Sequence, residues 1–585
     1  MEIRSICVIG GGRMGRQIAL NSAIYGFKAV VYDLKQEVCD EVKTWAEEYL
    51  AGRIAKGRMT AEQVEKTKSL FSVEADLAKA CEGVDCVVEA IIEVESVKHA
   101  LFKQLSDILP ETTIIATNSS AMVSSKFADD VKNPARLCNM HYYNPALVMK
   151  FVEVVQGPHT SEETAKACYD FCVATGKEPA WMKKELPGFL GNYIYAGISS
   201  RARQVVHEGY CTPQEVDIAM EYGFGAKMGP FRTNDLTGID LSMTTMTTSY
   251  KRTGEKPVMY DIYKEMYDKG WYGRKSGRGF YDYTKPEETV EQQIVEIPGE
   301  KVIKSISLVG GGRMGRQIAL HAAISGFNAV VYDLKEEVCV EIEQWAEEYL
   351  AGRIAKGRLT AEQVAAVKER FRVERDFNKA VSDADCVVEA VLEIEDLKHK
   401  VIKQISDAVS EDTIIATNAS VMVSSKFVDD VKNPARLCNM HFYNPALVMK
   451  FVEVVQGPHT SEETARACYN FCLKCGKKPV WLKKELPGFL GNYINGGMAH
   501  RAQWVVENGY CSPYDVDKAM EHGFGYKMGP FRTKDLAGID VAFTRMTEQY
   551  KRTGEKPLMY DTFKEMVEKG HIGRKSGKGF YDYTK

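Results

Sequence analysis

No stretch of the chain approaches the ~18 consecutive apolar residues of a membrane span, and neither sign of charge is in surplus. The 76 Lys and Arg stand against 80 Asp and Glu, a net charge of −4. The first absence argues against a helical integral membrane protein. The second removes the basic field that nucleic acids and anionic lipid surfaces attract. Room for a leader is also short: Met1-Glu2-Ile3-Arg4 runs straight into an apolar segment, so no signal peptide is expected. Cysteine is not scarce, at fifteen residues, but it lacks a pattern and lies singly in apolar segments such as Cys86-Val87-Val88. That usage reads as reduced, buried thiols rather than a disulfide framework. The CxxC of Cys472 and Cys475 corresponds to Cys172 and Thr175 in the first half of the chain, so it reads as structural and no metal site is expected. These features predict a cytoplasmic globular protein, and 45% hydrophobic with 27% charged residues is ordinary for one.

What is present is a sequence written twice. Residue i matches residue i+300 along nearly the whole length without an insertion; from Val123 to Ala165 the second copy changes only Ala128 to Val428 and Tyr142 to Phe442. A period of that size is a duplicated protein, not a solenoid repeat. Each copy reads as an α/β part followed by an all-helical part. The apolar runs Ser5–Ile9, Ala29–Tyr32, Cys86–Glu89, Ile114–Thr117, Leu137–His141 and Phe151–Val155 alternate with helical segments, which predicts a parallel sheet covered on both faces. From Pro187 onward the strand runs stop. The expected organisation is a Rossmann-type domain at 1–186, a helical domain at 187–285, an acidic linker at 286–300, and the same pair again at 301–486 and 487–585.

Gly10-x-Gly12-x-x-Gly15 alone is a weak signal, but a strand precedes it, a helix follows, and Asp33 ends the next strand. In such a unit the glycines permit a tight turn, close backbone approach to a pyrophosphate and helix–strand packing, with the helix N-terminus facing the phosphates. Asp33 would accept from a ribose 2′-hydroxyl and repel a 2′-phosphate, which favours NAD over NADP. Arg13 in the loop pulls the other way. Gly310, Gly312, Arg313, Gly315 and Asp333 repeat the set. A purely structural turn is the competing reading.

Glu153 lies inside Phe151-Val152-Glu153-Val154-Val155, where a buried carboxylate requires a partner. Three histidines recur at the 300 offset: His99, His141 and His159. His99 reads as exposed beside Lys98, and His159 as part of a helix-cap loop. His141 ends an earlier strand and is the one placed to meet Glu153, an arrangement that suits a general base and equally a satisfied core pair. Asn118-Ser119-Ser120 follows a strand end, where ligands of open α/β sheets bind; Ser120 recurs as Ser420, whereas Ser119 becomes Ala419. Asn192, entering the helical part, either aims at the cleft or caps a helix.

Together, Val8–Gly15, Glu89-Ala90, His141–Glu153, Pro187-Gly188-Phe189, Met228-Gly229-Pro230 and Gly273–Tyr281 make each copy resemble the 3-hydroxyacyl-CoA dehydrogenases, especially the 3-hydroxybutyryl-CoA dehydrogenase type, almost end to end. The resemblance implies an NAD-dependent interconversion of 3-hydroxyacyl-CoA and 3-oxoacyl-CoA. It makes His141 the base, Glu153 its orienting partner, and Ser120 and Asn192 the groups that hold the substrate oxygen; His441, Glu453, Ser420 and Asn492 repeat them. It implies cofactor contacts at Gly10, Gly12, Arg13, Met14, Gly15, Asp33, Glu93, Lys98, Ser120, Asn144 and Lys275, and at Gly310, Gly312, Arg313, Met314, Gly315, Asp333, Glu393, Lys398, Ser420, Asn444 and Lys575. Arg53, Lys56 and Arg58, with Arg353, Lys356 and Arg358, form a basic patch suited to the CoA phosphates, although Tyr49, Ala51 and Gly52 depart from the family's pattern and Tyr193 stands where relatives carry arginine. A relative acting on a free hydroxy acid of the carnitine or gulonate type is the alternative. The resemblance also implies that the helical parts dimerise, so the two copies are expected to form an internal pseudo-dimer, 187–285 against 487–585, within one chain or as part of a higher oligomer.

Overall fold

The computed structural model describes residues 2–284 and 294–584. The first copy opens with β1 (Ser5–Ile9), β2 (Lys28–Tyr32), β3 (Phe71–Glu74), β4 (Cys86–Glu89), β5 (Ile114–Thr117), β6 (Leu137–Tyr142), β7 (Phe151–Val155) and β8 (Glu178–Met182). They form one sheet in the order β3-β2-β1-β4-β5-β6-β7-β8. The second copy repeats it with β9 (Ser305–Val309), β10 (Asn328–Tyr332), β11 (Phe371–Glu374), β12 (Cys386–Glu389), β13 (Ile414–Thr417), β14 (Leu437–Phe442), β15 (Phe451–Val455) and β16 (Lys478–Leu482). The strands are apolar on both sides because both faces are covered. On one face Ile18 and Ala19 of helix Arg13–Ile24 and Cys168 and Phe171 of helix Glu162–Ala174 pack against Val8, Val88 and Met140. On the other, Phe102 and Leu105 of helix Glu95–Ile108 pack with Phe127 against Cys7, Val87 and Ile115.

The expectation of a uniformly parallel sheet needs one correction. β6 and β7 are antiparallel, and β14 and β15 likewise. Only residues 143–150 separate β6 from β7, too few for the crossover that parallel strands require. The two edge strands were not legible in the sequence. β3 emerges directly from helix Ala61–Leu70 and is only half-buried. β8 contains Pro179, which a sheet accepts at its edge.

After β8 each copy is helical, from Phe189–His207 to Tyr260–Asp268 in the first and from Leu490–Glu507 to Tyr560–Glu568 in the second. Among the described residues no helix is long and apolar enough to cross a membrane. The chain divides into two compact units, Met1–Gly197 with Met498–Lys585, and Ile198–Gly497. One unit therefore joins the first sheet to helices of the second copy. There the Lys183 N–H donates to Tyr510 O at 2.7 Å, the Lys518 ammonium donates to Pro179 O at 2.5 Å, and the turn Ala519–Gly523 packs on β7. The other unit joins helices of the first copy to the second sheet, with Lys484 donating to Glu208 O at 3.1 Å and the turn Ala219–Gly223 on β15.

Of the expected linker 286–300, residues 286–293 lie outside the described residues. Its last part packs on helix Glu462–Lys474: Ile297 exchanges hydrogen bonds of 3.0 and 2.6 Å with the Asn470 side chain, and Glu296 pairs with Lys474 at 2.8 Å. All fifteen cysteines are free thiols, and all but Cys211 are buried.

Candidate active site

The glycine loop follows β1 at the point where the strand order reverses. Gly10 has φ +111°, and a Cβ on Gly15 would lie 1.9 Å from Gly10 O, so neither position accepts a side chain. Gly12 caps helix Arg13–Ile24 without a side-chain hydrogen bond, and nothing lies within 4 Å of where its Cβ would be. The space beside Gly12 is thus open at the N-terminus of the helix, where the positive end of its dipole lies. Arg13 is exposed and Met14 half-buried beside the loop. At the end of β2 the Asp33 carboxylate accepts from the Gly11 N–H at 2.8 Å and the Lys35 N–H at 3.1 Å. Leu34 is 81% exposed and Ile92 65%, and their counterparts Leu334 and Leu392 are equally bare. Bare apolar side chains beside an open glycine loop and a carboxylate at the end of β2 suit a dinucleotide.

A second cluster lies at the ends of β4 and β5. Glu89 is fully buried and accepts from the Lys98 ammonium at 2.5 Å, the Thr117 hydroxyl at 2.6 Å and the Ile91 N–H at 2.8 Å. Lys98 also reaches Glu93 at 3.4 Å. Burial alone would raise the Glu93 carboxyl, but the Ser120 N–H, Lys98 and the Ser119 hydroxyl outweigh it and hold the group below its ordinary range. Lys98 is 1% exposed, so it meets carboxylates rather than open space. Ser120 is exposed, its N–H on Glu93 at 2.8 Å and its hydroxyl at 3.3 Å. In the second copy, Ala419 removes one donor, yet Ser420 N–H and Lys398 still hold Glu393 at 2.8 and 3.2 Å. His99 departs from its expected exposure: it is half-buried, with Nδ1 2.5 Å from Asp130 Oδ2.

The antiparallel pairing of β6 and β7 places His141 directly opposite Glu153. Facing residues of such a pair project on the same side of the sheet, and His141 Nδ1 lies 2.5 Å from Glu153 Oε2. The other Glu153 oxygen accepts from the Gly191 N–H at 2.8 Å, so a carboxylate with no solvent exposure has both oxygens bonded. His441, Glu453 and Gly491 repeat this at 2.7 and 2.9 Å. Burial raises Tyr143 well above the usual phenol range, and Glu153 adds to the effect. Its ring lies 5.1 Å from His141; Phe189, at φ +56°, lies 5.2 Å from it. Asn192 is exposed in the first turn of helix Phe189–His207, one residue from Gly191. The Asn118 amide oxygen accepts from the Tyr142 N–H at 2.8 Å and ties the end of β5 to the strand carrying His141.

Sequence reasoning missed Gly191, Tyr143 and Lys177. Lys177 is buried and donates to Ala146 O and to Met149 O at 3.1 Å, anchoring the loop that presents the exposed Asn144; Lys477 does the same for Asn444. His159 is half-buried in the turn before helix Glu162–Ala174, burial lowering its pKa.

The remaining expected residues lie apart from this pair in sequence and element. Arg53, Lys56 and Arg58 are at the end of helix Gln36–Ala55, with Lys56 and Arg58 exposed. Nearby in that helix Trp45 stacks on Tyr49 at 5.8 Å and lies under the Arg16 guanidinium at 4.7 Å, an arrangement repeated by Arg316, Trp345 and Tyr349. Lys275 and Lys575 pair with Asp240 and Asp540 at 2.5 Å, each in the compact unit that holds the other copy's sheet.

Comparison with known proteins places this architecture. A probable 3-hydroxybutyryl-CoA dehydrogenase of Bacillus subtilis is 34% identical over 284 residues, which is 48% of this chain and 98% of that protein. Human mitochondrial hydroxyacyl-coenzyme A dehydrogenase is 33% identical over 289 residues, 48% of this chain and 91% of that protein. The crystal structure of 3-hydroxybutyryl-CoA dehydrogenase from Escherichia coli K12 shares the fold, with TM-score 0.67 at 22% identity over 97% of this chain and 100% of that one. The NAD-binding domain model of 3-hydroxyacyl-CoA dehydrogenase matches residues 5–185 and 305–486, and the C-terminal domain model matches 188–283 and 488–583. With almost every residue inside one of those four matches, the chain belongs to the 3-hydroxyacyl-CoA dehydrogenase family and carries that family's two-domain unit twice.

Proposed function

We propose that the chain interconverts (S)-3-hydroxyacyl-CoA and 3-oxoacyl-CoA with NAD at two centres, one at each sheet. The observation that carries this reading is the buried His–Glu pair on the same sheet as an open glycine loop, present in both copies. Glu153 accepts from Nδ1 of His141, which fixes the imidazole tautomer and leaves Nε2 to accept the proton of the C3 hydroxyl. The bound nicotinamide supplies the acceptor for the hydride leaving C3. The Ser120 hydroxyl and the Asn192 amide donate to the substrate oxygen, orienting C3 and stabilising charge on that oxygen in the reverse direction. Asp33 holds the ribose, the glycine loop the pyrophosphate, and Asn144 and Glu93 the nicotinamide end. Lys98 serves by holding Glu93 in place rather than by touching the cofactor. Arg53, Lys56 and Arg58 meet the CoA phosphates, and the arginine-covered Trp45 beside them favours a ligand that is both aromatic and polyanionic. Relatives named for 3-hydroxybutyryl-CoA favour a short acyl chain, hence butyrate-type or fatty-acid metabolism.

The test follows NADH absorbance with acetoacetyl-CoA, and NAD reduction with carnitine and with gulonate, in parallel. Turnover is expected with acetoacetyl-CoA. Turnover with carnitine or gulonate and none with the thioester would replace this reading with a non-CoA hydroxy-acid dehydrogenase.

A further inference from the structure

We propose that neither copy is a self-sufficient enzyme: each active centre is composite, with the sheet, glycine loop and His–Glu pair of one copy walled and positioned by helices of the other. The proposal rests on the dehydrogenase reading for what the centre does, but its composition is argued from geometry alone.

In the unit holding the first sheet, the helices beyond the start of Phe189–His207 are those of the second copy after Gly497. Phe524 stacks on Tyr195 with ring centroids 4.5 Å apart and lies edge-on to Tyr143 at 5.8 Å; Tyr143 in turn lies 5.1 Å from His141. A Cβ on Gly191 would strike Tyr143 Oη at 2.3 Å and Phe524 Cε2 at 2.9 Å, so Gly191, Tyr143 and Phe524 close on one another around the glycine that feeds Glu153. Arg501 donates to Tyr193 O at 2.7 Å and covers the Tyr193 ring at 4.7 Å, clamping the helical turn that bears Asn192. Burial and Asp515 raise the Cys511 thiol, with Glu153 adding to them, which places another second-copy side chain in electrostatic reach of that carboxylate.

The second centre repeats the pattern with the copies exchanged. Phe224 lies edge-on to Tyr443 at 5.7 Å, Tyr443 lies 4.7 Å from His441, and a Cβ on Gly491 would meet Phe224 at 2.7 Å. Arg201 donates to Tyr493 O at 2.6 Å in the turn bearing Asn492. Every residue of this arrangement recurs in the other copy, with Tyr143, Gly191, Arg201 and Phe224 answered by Tyr443, Gly491, Arg501 and Phe524. Phe524 and Arg501 are therefore positioning residues for His141, and Phe224 and Arg201 for His441.

The full chain tests this by pairing substitutions. With His441→Ala silencing the second centre, Phe524→Ala is expected to lower the remaining kcat/KM roughly tenfold, mainly through kcat, and to shift the acid limb of its pH profile, with Phe524→Tyr restoring both. With His141→Ala, the sensitive position is expected to be Phe224. The opposite pairing overturns the proposal, as does sensitivity to both positions in one background or to neither. Arg501→Lys and Arg201→Lys read the same pairing should an alanine variant fail to fold. Gly15→Val and Gly315→Val, which close the loop against Gly10 O and Gly310 O, are alternative silencing backgrounds. A double His141→Ala, His441→Ala variant that stays active would remove the base assignment while leaving the pairing measurable.

Discussion

Asp33 concentrates the cofactor question in a single side chain. Both its oxygens already accept from backbone N–H groups, so the carboxylate is held rigidly where a ribose 2′-oxygen would come. A 2′-hydroxyl donates to it; a 2′-phosphate meets like charge at close range. Arg13 is exposed. The measured kcat/KM is therefore expected to favour NADH over NADPH by at least tenfold, and Asp33→Ala with Asp333→Ala to narrow the gap; equal use of both cofactors by the parent chain would mean that Arg13 and Arg313 outweigh the aspartates. The His141–Glu153 pair was legible in the sequence because a carboxylate in an all-apolar strand demands a partner, and one retained histidine ended a neighbouring strand. The His99–Asp130 pair was not. Each follows a charged residue in the sequence, Lys98 and Asp129, where neither signals a cost that needs relieving.

The loop between β6 and β7 sets several features at once. Its shortness reverses the strand direction, and the reversal creates the register that faces His141 with Glu153. Its own shape depends on Lys177, which sequence reasoning passed over because Gly176-Lys177-Glu178 reads as a solvated turn and its partners are backbone carbonyls, invisible in side-chain patterns. Burial lowers the Lys177 ammonium from 10.5 to about 8, and Lys477 likewise. The sign follows from proton uptake. Below pH 8 both folded and unfolded chains carry the charge, and its burial costs stability in full. Between 8 and 10.5 the unfolded chain binds more protons, so the cost shrinks as pH rises. That gap corresponds to on the order of 3 kcal/mol per site. Urea unfolding of the parent and of Lys177→Met with Lys477→Met, from pH 7 to 10.5, is expected to show the parent gaining on the variant across the upper part of the range. A difference that stays flat would show that the burial carries no such cost.

Across the whole molecule, duplication makes two centres that should work independently. His141→Ala and His441→Ala are each expected to remove about half the turnover, and the pair together roughly two orders of magnitude or more, the scale of a lost general base; complete loss from one single variant would show unequal centres. We retain the proposal that the two copies form an internal pseudo-dimer, which light scattering of the full chain checks as a monomeric mass. The duplication and the family were legible at the level of residues, yet the exchange of helices between copies was not. With near-identical halves, a surface that fits the helices of its own copy fits those of the other equally well, so the side-chain pattern holds no information about which is used. Chain order does distinguish the two outcomes. Residues 198–497 are contiguous, whereas the other unit draws on both ends of the chain. During synthesis every part of the second centre has been joined to the chain before residue 498 is added, while the unit of the first sheet is complete only after a further 88 residues (498 to 585), a delay on the order of ten seconds at ordinary translation rates. The half of the protein made first is thus the last to be completed, and a message truncated just after residue 497 yields a chain with one finished centre and one that lacks the helices of its second wall.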